Sequence, residues 1–363
     1  MFPAPIVEAK GTPYEIGYAH GSQCKKQVLA SLDYYTRMFA GKKIDWETGK
    51  RLAKTYEKNV IAFDPDLVEE MKGIADGAGL TYEDILAINC RSEVTMMEEI
   101  SKTLAALDEP EDGCTAFAMM PSVTRDGKTL HAQTWDFGTM QRDAIIVLKI
   151  RQGGRKPDVL MITEGGLVGG KGMNSAGISL TLNALRTSGD PSGVPLHVLM
   201  RGMLDSPTIT KAYQKAANFQ SGCAAGLILG CKDGCALSVE VVPGDIDVFY
   251  PVDGYVVHTN HVLSTRFAGL RDNGKRMSAS SYLRYGRCCA LLKGRRDITV
   301  EQVKEILSDH VGYPNGICVH ADKNLPIERQ SSSNYGVIFN LTDGVTHLCV
   351  GNPCESEFIQ LTL

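Results

Sequence analysis

The stretch Glu109–Met120, EPEDGCTAFAMM, changes from an acidic, proline-containing run to an apolar run at a Gly-Cys-Thr step. The residues before Cys114 have the character of a surface loop, and the residues after it predict a strand. A cysteine at the start of a strand is most often a buried core residue. The alternative is that Cys114 is a nucleophile, and that cutting the Gly113–Cys114 bond makes it a new N-terminus.

The composition is that of an ordinary globular protein. Of the 363 residues, 43% are hydrophobic and 22% are charged, and the net charge is −4, which gives no reason to expect a nucleic-acid partner. No apolar run is long enough to span a membrane. The opening residues MFPAPIVEAKGTPYEIG do not form a secretory signal, and the eleven cysteines follow no regular spacing. We therefore expect a cytoplasmic protein with reduced thiols.

The first 90 residues have a helical pattern. Thr12 as N-cap and Glu15 three residues later form a capping box, and Asp64 followed by Pro65 begins another helix that ends near 77–79. Residues 99–113 are acidic and lack periodicity, so we expect a surface loop or tether. The sequence divides at this loop into a helical segment, 1–113, and a second segment, 114–363.

Short β-rich runs separated by glycine, aspartate or proline fill most of the second segment. Helical patterns interrupt them at roughly 194–217, near 278–293 and at 299–309. The predicted strands include TAFAMM, TLHAQTW, AIIVLKI, DVLMITEG, GISLTLNAL, AAGLILG, ALSVEVV, YVVHTNH, YGVIFNL, VTHLCVG and EFIQLTL. Short links between strands favour two packed antiparallel sheets with helices outside, the arrangement of an α+β protein.

Common cofactor and metal motifs are absent from the sequence. No GxGxxG follows a strand, EGGLVGGKGMNSAG lacks the end of a P-loop and its glycines fit tight turns, and neither HExxH nor paired CxxC occurs. Cys231 and Cys235, in CKDGC, resemble half a metal site, but a turn between two strands explains them equally well. We expect no bound cofactor and no metal.

A nucleophilic cysteine requires a base. His258 and His261 flank Asn260, but the sequence alone does not place either histidine beside Cys114. The other base is the α-amino group that cleavage would give Cys114, because such a group titrates near neutral pH, at about 8.

Several motifs together resemble a known family. DGCTA, HAQTWDF, GMNSAG, LNAL and VHTNH, preceded by GTPYEIGYAHG and NCRSE, are similar to the acyl-coenzyme A:6-aminopenicillanate acyltransferases, also called isopenicillin-N acyltransferases, which are N-terminal-nucleophile hydrolases. The resemblance runs in order from about residue 10 to beyond 350. It implies a four-layer αββα sandwich, autocatalytic cleavage before Cys114, and two chains that stay associated.

The resemblance also implies roles for individual residues. Cys114 matches the nucleophile, Asp136 an acid that orients its amino group, and Asn260 an oxyanion-hole side chain. Asn183 matches a second polar contact in the same pocket.

One position departs from the family pattern. Where the family carries an arginine before the last strands, this chain has Ser333 or Asn334, which predicts that a cation near the nucleophile is missing. That departure favours hydrolysis of a small N-acyl or aminoacyl amide over penicillin synthesis. The alternatives are an N-acyltransferase that uses acyl-coenzyme A as co-substrate, and an uncleaved, non-catalytic relative that keeps the fold as a binding module.

Overall fold

The computed structural model describes residues 2–96, 113–267, 269–270 and 279–363. Its strands are β1 Ile6–Lys10, β2 Cys114–Met119, β3 Leu130–Gly138, β4 Ile145–Arg151, β5 Val159–Glu164, β6 Lys171–Asn174, β7 Ile178–Ala184, β8 Ala225–Cys231, β9 Cys235–Val242, β10 Asp245–Phe249, β11 Tyr255–His258, β12 Ser331–Asn340, β13 Val345–Val350 and β14 Ile359–Thr362. Its helices are α1 Pro13–Gln23, α2 Lys25–Gly41, α3 Trp46–Lys54, α4 Glu57–Phe63, α5 Pro65–Ala78, α6 Tyr82–Asn89, α7 Arg91–Met96, α8 Leu196–Leu204, α9 Ile209–Asn218, α10 Ser280–Leu292 and α11 Val300–Leu307.

The strands form two sheets that pack against each other. The larger has the order β1-β4-β5-β6-β7-β8-β9-β10 and the smaller β11-β2-β3-β12-β13-β14, with β2 and β3 of the smaller sheet facing β7 and β8. Helices α1, α2, α8 and α9 contact the larger sheet, and α10 and α11 contact the smaller one. The predicted αββα sandwich of an α+β protein is therefore confirmed.

Local sequence signals begin most of the helices. The capping boxes predicted at Thr12 and Thr299 are both present, and the Asp64 side chain caps α5 by accepting from the amide of Asp66. The same helix ends at Gly79, whose φ of +73° favours glycine. The predicted loop at 99–113 lies, apart from Gly113, outside the described residues.

Helices α1 and α5 touch backbone to backbone. A Cβ on Gly17 would lie 1.9 Å from the Glu70 carbonyl oxygen, and one on Gly73 would lie 2.1 Å from the Tyr14 carbonyl oxygen. The two helices can approach this closely only because both positions lack a side chain. This contact lies within the N-terminal segment, under the larger sheet.

Three strands are missing from the sequence prediction. The first 90 residues are not all helical, because Ile6–Lys10 forms β1 and pairs in parallel with β4. β6 lies in the glycine-rich stretch assigned to turns, where a Cβ on Gly172 would come within 2.4 Å of the Leu160 carbonyl oxygen. β10 is a half-exposed edge strand. Each is short, and pairing with a neighbour defines it more than its own residues do.

The register of the smaller sheet places the predicted site residues side by side. Cys114 pairs with Trp135 across β2 and β3, and Asp136 pairs with Ser333 across β3 and β12. The ladder shifts between Ser333 and Tyr335, so Asn334 lies at a bulge. Cys114 is 2% exposed and thus begins β2 inside the sandwich.

Candidate active site

The main-chain groups of Cys114 are bound by side chains from distant parts of the chain. Its amide nitrogen donates to Asn260 Oδ1 at 2.7 Å, and its carbonyl oxygen accepts from Asn183 Nδ2 at 2.9 Å. Its Sγ lies 3.9 Å from the main-chain oxygen of Asp136. The structure therefore brings together four residues that lie far apart in the sequence.

Both ends of the Asn260 side-chain amide are hydrogen-bonded in the uncleaved chain, whereas an oxyanion hole offers a free N–H donor. Its Oδ1 accepts from Cys114, and its Nδ2 donates to the Ala184 carbonyl oxygen at 3.0 Å. In the uncleaved chain this amide thus fixes the position of the Cys114 nitrogen, which becomes the α-amino group if the preceding bond is cut.

Asp136 is buried and bound by a neighbouring hydroxyl. Ser333 Oγ donates to Asp136 Oδ1 at 2.6 Å, and Thr134 Oγ1 lies 3.4 Å from Oδ2. Asn334 instead donates to the carbonyl oxygen of Gly138 at 3.1 Å. Of the two residues aligned with the family arginine, Ser333 therefore contacts the site and Asn334 holds the bulge.

The prediction that a cation near the nucleophile is missing is wrong. Arg284, on α10, donates from Nη1 to the Cys114 carbonyl oxygen at 2.7 Å and from Nη2 to Asn260 Oδ1 at 2.9 Å. A Cβ on Gly113 would lie 3.1 Å from Arg284 Nη2. No sequence pattern points to this contact, because Arg284 lies 170 residues after Cys114 on a helix whose contact with β2 depends on the fold.

A buried lysine is a second group that the sequence analysis missed. Lys171, on β6, is 4% exposed and its Nζ lies 2.9 Å from the centroid of the Trp135 ring. Burial lowers its pKa to about 7, against the opposing effect of Glu164 and Cys114. Near neutral pH a large fraction of this amine is therefore uncharged.

The pKa of the Cys114 thiol is shifted upward, in the opposite direction from that of Lys171. Burial raises its pKa to about 12, the Asp136 carboxylate raises it further, and the positive charges of Lys171 and Arg284 oppose the rise. The thiol therefore keeps its proton at neutral pH, and any nucleophilic attack by it would require a base.

The histidines near Asn260 have other contacts. His258 Nε2 lies 2.9 Å from Glu240 Oε1, and its Nδ1 lies 2.7 Å from the Thr259 carbonyl oxygen. His261 Nδ1 contacts Ser281 Oγ at 2.7 Å. Because both nitrogens of His258 are engaged, it is not the base for Cys114.

A cavity of 540 Å³ opens onto Cys114, a volume in the range of small-molecule sites. Both segments of the chain line it. The N-terminal segment contributes residues from α2 and α7, and the second segment contributes Trp135, Asp136, Asn260 and residues between 182 and 186. The lining mixes aromatic and aliphatic side chains with cations, among them Arg37, Lys42, Arg91 and Arg186.

Two other expectations concern features away from this cavity. Cys231 ends β8 and Cys235 begins β9, directly opposite it, so the expected turn between two strands is confirmed. No helix in the described part of the chain has the length and apolar character needed to cross a membrane.

Comparison with known proteins gives matches over most of the chain. The family model for acyl-coenzyme A:6-aminopenicillanic acid acyl-transferase matches residues 123–355. The 40 kDa form of acyl-coenzyme A:6-aminopenicillanic-acid-acyltransferase from Emericella nidulans is 32% identical over 350 residues, which cover 96% of this chain and 92% of that protein.

Two solved structures show a weaker likeness. A mutant of the conjugated bile acid hydrolase from Clostridium perfringens is 12% identical with a TM-score of 0.46, covering 69% of this chain and 97% of that one. Penicillin V acylase from Agrobacterium tumefaciens is 12% identical with a TM-score of 0.42, covering 69% of this chain and 86% of that one. On the family model and the Emericella relative, this chain belongs to the acyl-coenzyme A:6-aminopenicillanic acid acyltransferase family.

Proposed function

We propose that the protein is an autocatalytically processed amidohydrolase or acyltransferase whose nucleophile is Cys114. The observation that carries this proposal is the position of Cys114 at the start of β2, beside the cavity, with its nitrogen bound by Asn260 and its carbonyl oxygen bound by Asn183 and Arg284. A core cysteine needs no such arrangement around its main chain. An N-terminal nucleophile needs its amine and its reacting sulfur fixed.

The first reaction is cleavage of the chain. The Cys114 thiol adds to the Gly113 carbonyl carbon, the bond from that carbon to the Cys114 nitrogen breaks, and the nitrogen takes the proton. Water then hydrolyses the resulting thioester, which leaves a Gly113 carboxylate and a free Cys114 thiol. The products are chains 1–113 and 114–363, which remain associated because both segments line the same cavity.

The base differs between the two reactions. In the precursor the Cys114 nitrogen is an amide and cannot take a proton, so the candidate base is the Lys171 amine, which lies on the ring of Trp135, the strand neighbour of Cys114, and has its pKa lowered to about 7. After cleavage the Cys114 α-amino group is available, held by Asn260 Oδ1, and takes the thiol proton directly. The Asp136 carboxylate, bound by Ser333, orients that amine.

The second reaction is acyl transfer. Cys114 attacks the carbonyl carbon of a small N-acyl or aminoacyl amide, the amine leaves with a proton, and the acyl group remains as a thioester on Sγ. Transfer to water completes hydrolysis, and transfer to another amine completes acyl exchange. The cavity of 540 Å³ suits a substrate of this size, and no cofactor is required.

A second candidate uses acyl-coenzyme A as the acyl donor. Two observations favour it: the Emericella relative carries acyl-coenzyme A in its name, and Arg284 lies where the sequence analysis expected no cation. The argument from a missing arginine therefore no longer separates hydrolysis from transfer. Release of coenzyme A with and without an added amine, compared with release of amine from N-acyl amides, distinguishes the two.

The intact mass of the purified protein tests the proposal. We expect the native chain to split between Gly113 and Cys114, the Cys114→Ala variant to stay whole, and the Cys24→Ala variant, which removes another buried cysteine, to split as the native chain does. A native chain that remains whole for days under native conditions would contradict self-processing and support a non-catalytic binding module.

A further inference from the structure

Four side chains of the types that bind metals meet in loops beside the start of β12, and none of the four lines the cavity at Cys114. They are His310, Cys318, His320 and Cys354. The first three lie between α11 and β12, and Cys354 lies between β13 and β14. Their candidate ligand atoms all lie within 4.8 Å of one another.

Four of the six distances between these atoms are close to the edges of a metal-centred tetrahedron. The two sulfur atoms are 3.6 Å apart, the two Nε2 atoms are 3.0 Å apart, and the sulfurs of Cys318 and Cys354 lie 3.7 and 3.4 Å from His320 Nε2. With Zn–S bonds of about 2.3 Å and Zn–N bonds of about 2.05 Å, a regular tetrahedron has edges of about 3.8 Å between sulfurs, about 3.3 Å between nitrogens and about 3.6 Å between sulfur and nitrogen.

Hydrogen bonds explain only part of the cluster: Cys318 Sγ also contacts Cys354 Sγ and Asn352 Nδ2, whereas among the described residues His310 Nε2 contacts only His320 Nε2. His310 Nε2, Cys318 Sγ and Cys354 Sγ all converge on His320 Nε2. That nitrogen has one lone pair or one N–H, so it can satisfy only one of them. A cation at the centre would give every one of these atoms a partner.

The surroundings of the cluster fit an ion held by soft ligands. Asn352 Nδ2 lies 3.6 Å from Cys318 Sγ, where it can donate to a thiolate. The Glu355 carboxylate lies 3.9 Å from Nδ1 of His320, the ring nitrogen that faces away from the other ligands. Outer groups of this kind orient histidine ligands and tune the metal.

We propose that His310, Cys318, His320 and Cys354 form a structural zinc site that ties the loop before β12 to the loop after β13. Two thiolates and two imidazoles in a tetrahedral arrangement select zinc among the common divalent metals. Loading exchanges the two thiol protons for one Zn²⁺, so charge balances with release of two protons. This proposal is independent of the proposed acyl-transfer function.

The site also has a route to the catalytic residues. Val319, which follows the ligand Cys318, donates its amide to Ser333 Oγ and accepts from the Ser333 amide, both at 2.9 Å. The same Ser333 hydroxyl binds Asp136 at 2.6 Å. An ion that fixes Cys318 therefore fixes the residue that positions the Asp136 carboxylate.

The first test measures metal content. The full chain, carrying no histidine tag and purified without chelators under reducing conditions, should contain about one zinc per chain by elemental mass spectrometry. The double variant Cys318→Ser/Cys354→Ser should contain at least about tenfold less zinc per chain. Its matched control, Cys231→Ser/Cys235→Ser, removes the other facing cysteine pair and should retain the zinc.

A gentler variant guards against misfolding. His310 is exposed, so His310→Ala should fold and bind zinc more weakly in competition with a chelator. Cobalt added to the metal-free native chain should give the visible spectrum of a tetrahedral cobalt–thiolate site, which the double cysteine variant should lack. A native chain without tightly bound metal, unchanged zinc in the cysteine variant, or a Cys318–Cys354 disulfide in place of the metal would each overturn the proposal.

Discussion

Arg284 Nη1 donates a hydrogen bond of 2.7 Å to the carbonyl oxygen of Cys114, although the two residues are 170 positions apart. The same guanidinium reaches Thr115 Oγ1 at 3.1 Å and Asn260 Oδ1 at 2.9 Å. Arg284 therefore links the carbonyl oxygen of Cys114 to the Asn260 side chain, which binds the Cys114 nitrogen. With serine and asparagine at positions 333 and 334, Arg284 is a cation that can fix the backbone of Cys114.

Replacing Arg284 should slow self-cleavage. Because hydrogen bonds from a charged donor are worth about 1.5–3 kcal/mol, we expect Arg284→Ala to reduce the cleavage rate about 10- to 100-fold. The rate is measured by intact mass after cell-free synthesis of the precursor. The control is Arg287→Ala, because Arg287 lies on the same helix but pairs with Asp309. Native cleavage rates in Arg284→Ala would refute a role for this contact.

Ser333 and its neighbour Asn334 should differ in their effect on cleavage. Ser333→Ala removes the 2.6 Å hydrogen bond to the buried carboxylate of Asp136, so we expect cleavage about tenfold slower or more. Asn334→Ala loses a bond to the Gly138 carbonyl oxygen and should mainly lower the melting temperature. Equal cleavage rates for the two folded variants would show that Asp136 does not depend on Ser333.

The local elements of the fold could be predicted from the sequence, whereas the pairing of distant strands could not. The capping boxes at Thr12 and Thr299 satisfy helix ends with residues three positions apart, so a short window contains the whole interaction. β1, by contrast, exists because Ile6 pairs with Val147. No window of sequence contains that contact.

The same contrast between local signals and long-range contacts applies to the candidate site. Cys114, Asp136, Asn183 and Asn260 could be proposed because each lies in a motif that resembles a family. Their partners could not, because Arg284 and Lys171 lie outside those motifs and reach Cys114 only through helix and sheet packing. The His310, Cys318, His320 and Cys354 cluster was missed for the same reason: its members come from loops up to 44 residues apart, without the close spacing of a zinc motif.

Lys171 should give the folded protein a distinct pH dependence. Its pKa falls from 10.5 to about 7 on burial, so between these pH values the unfolded chain binds more protons than the folded one. Stability should therefore rise with pH across this window. Lys171→Met, made in the Cys114→Ala background to prevent cleavage, should raise the melting temperature at pH 7 and reduce its gain toward pH 10.

The comparison with a surface lysine isolates this effect. Lys211 is exposed on α9, and Lys211→Met in the same background should change the melting temperature similarly at every pH. The difference between the two variants, measured by thermal unfolding at several pH values, cancels the titration of all other groups. If the melting temperatures of Lys171→Met and its parent change by the same amount between pH 7 and 10, the lowered pKa of Lys171 is contradicted.

Arg201 should hold the two segments together after cleavage. It is 1% exposed and donates to Glu70 Oε1 at 2.7 Å and to Asp205 Oδ1 at 3.0 Å, which links α8 of the second segment to α5 of the first. Arg201→Leu leaves the buried Glu70 without this partner, and breaking such a pair costs about 3–5 kcal/mol. We expect the variant's chains to separate at a lower urea concentration, measured by size-exclusion chromatography.

Two further variants decide whether the buried charge causes that loss. Lys72→Ala removes an exposed pair with Glu69 on the same helix and should change stability by less than about 1 kcal/mol. Arg201→Leu/Glu70→Leu removes both charges and should recover much of the stability lost by Arg201→Leu alone, because two apolar side chains can replace a buried ion pair. If the double variant is as weak as the single one, the packing of the Arg201 side chain or its ion pair with Asp205, rather than its ion pair with Glu70, holds α8 against α5.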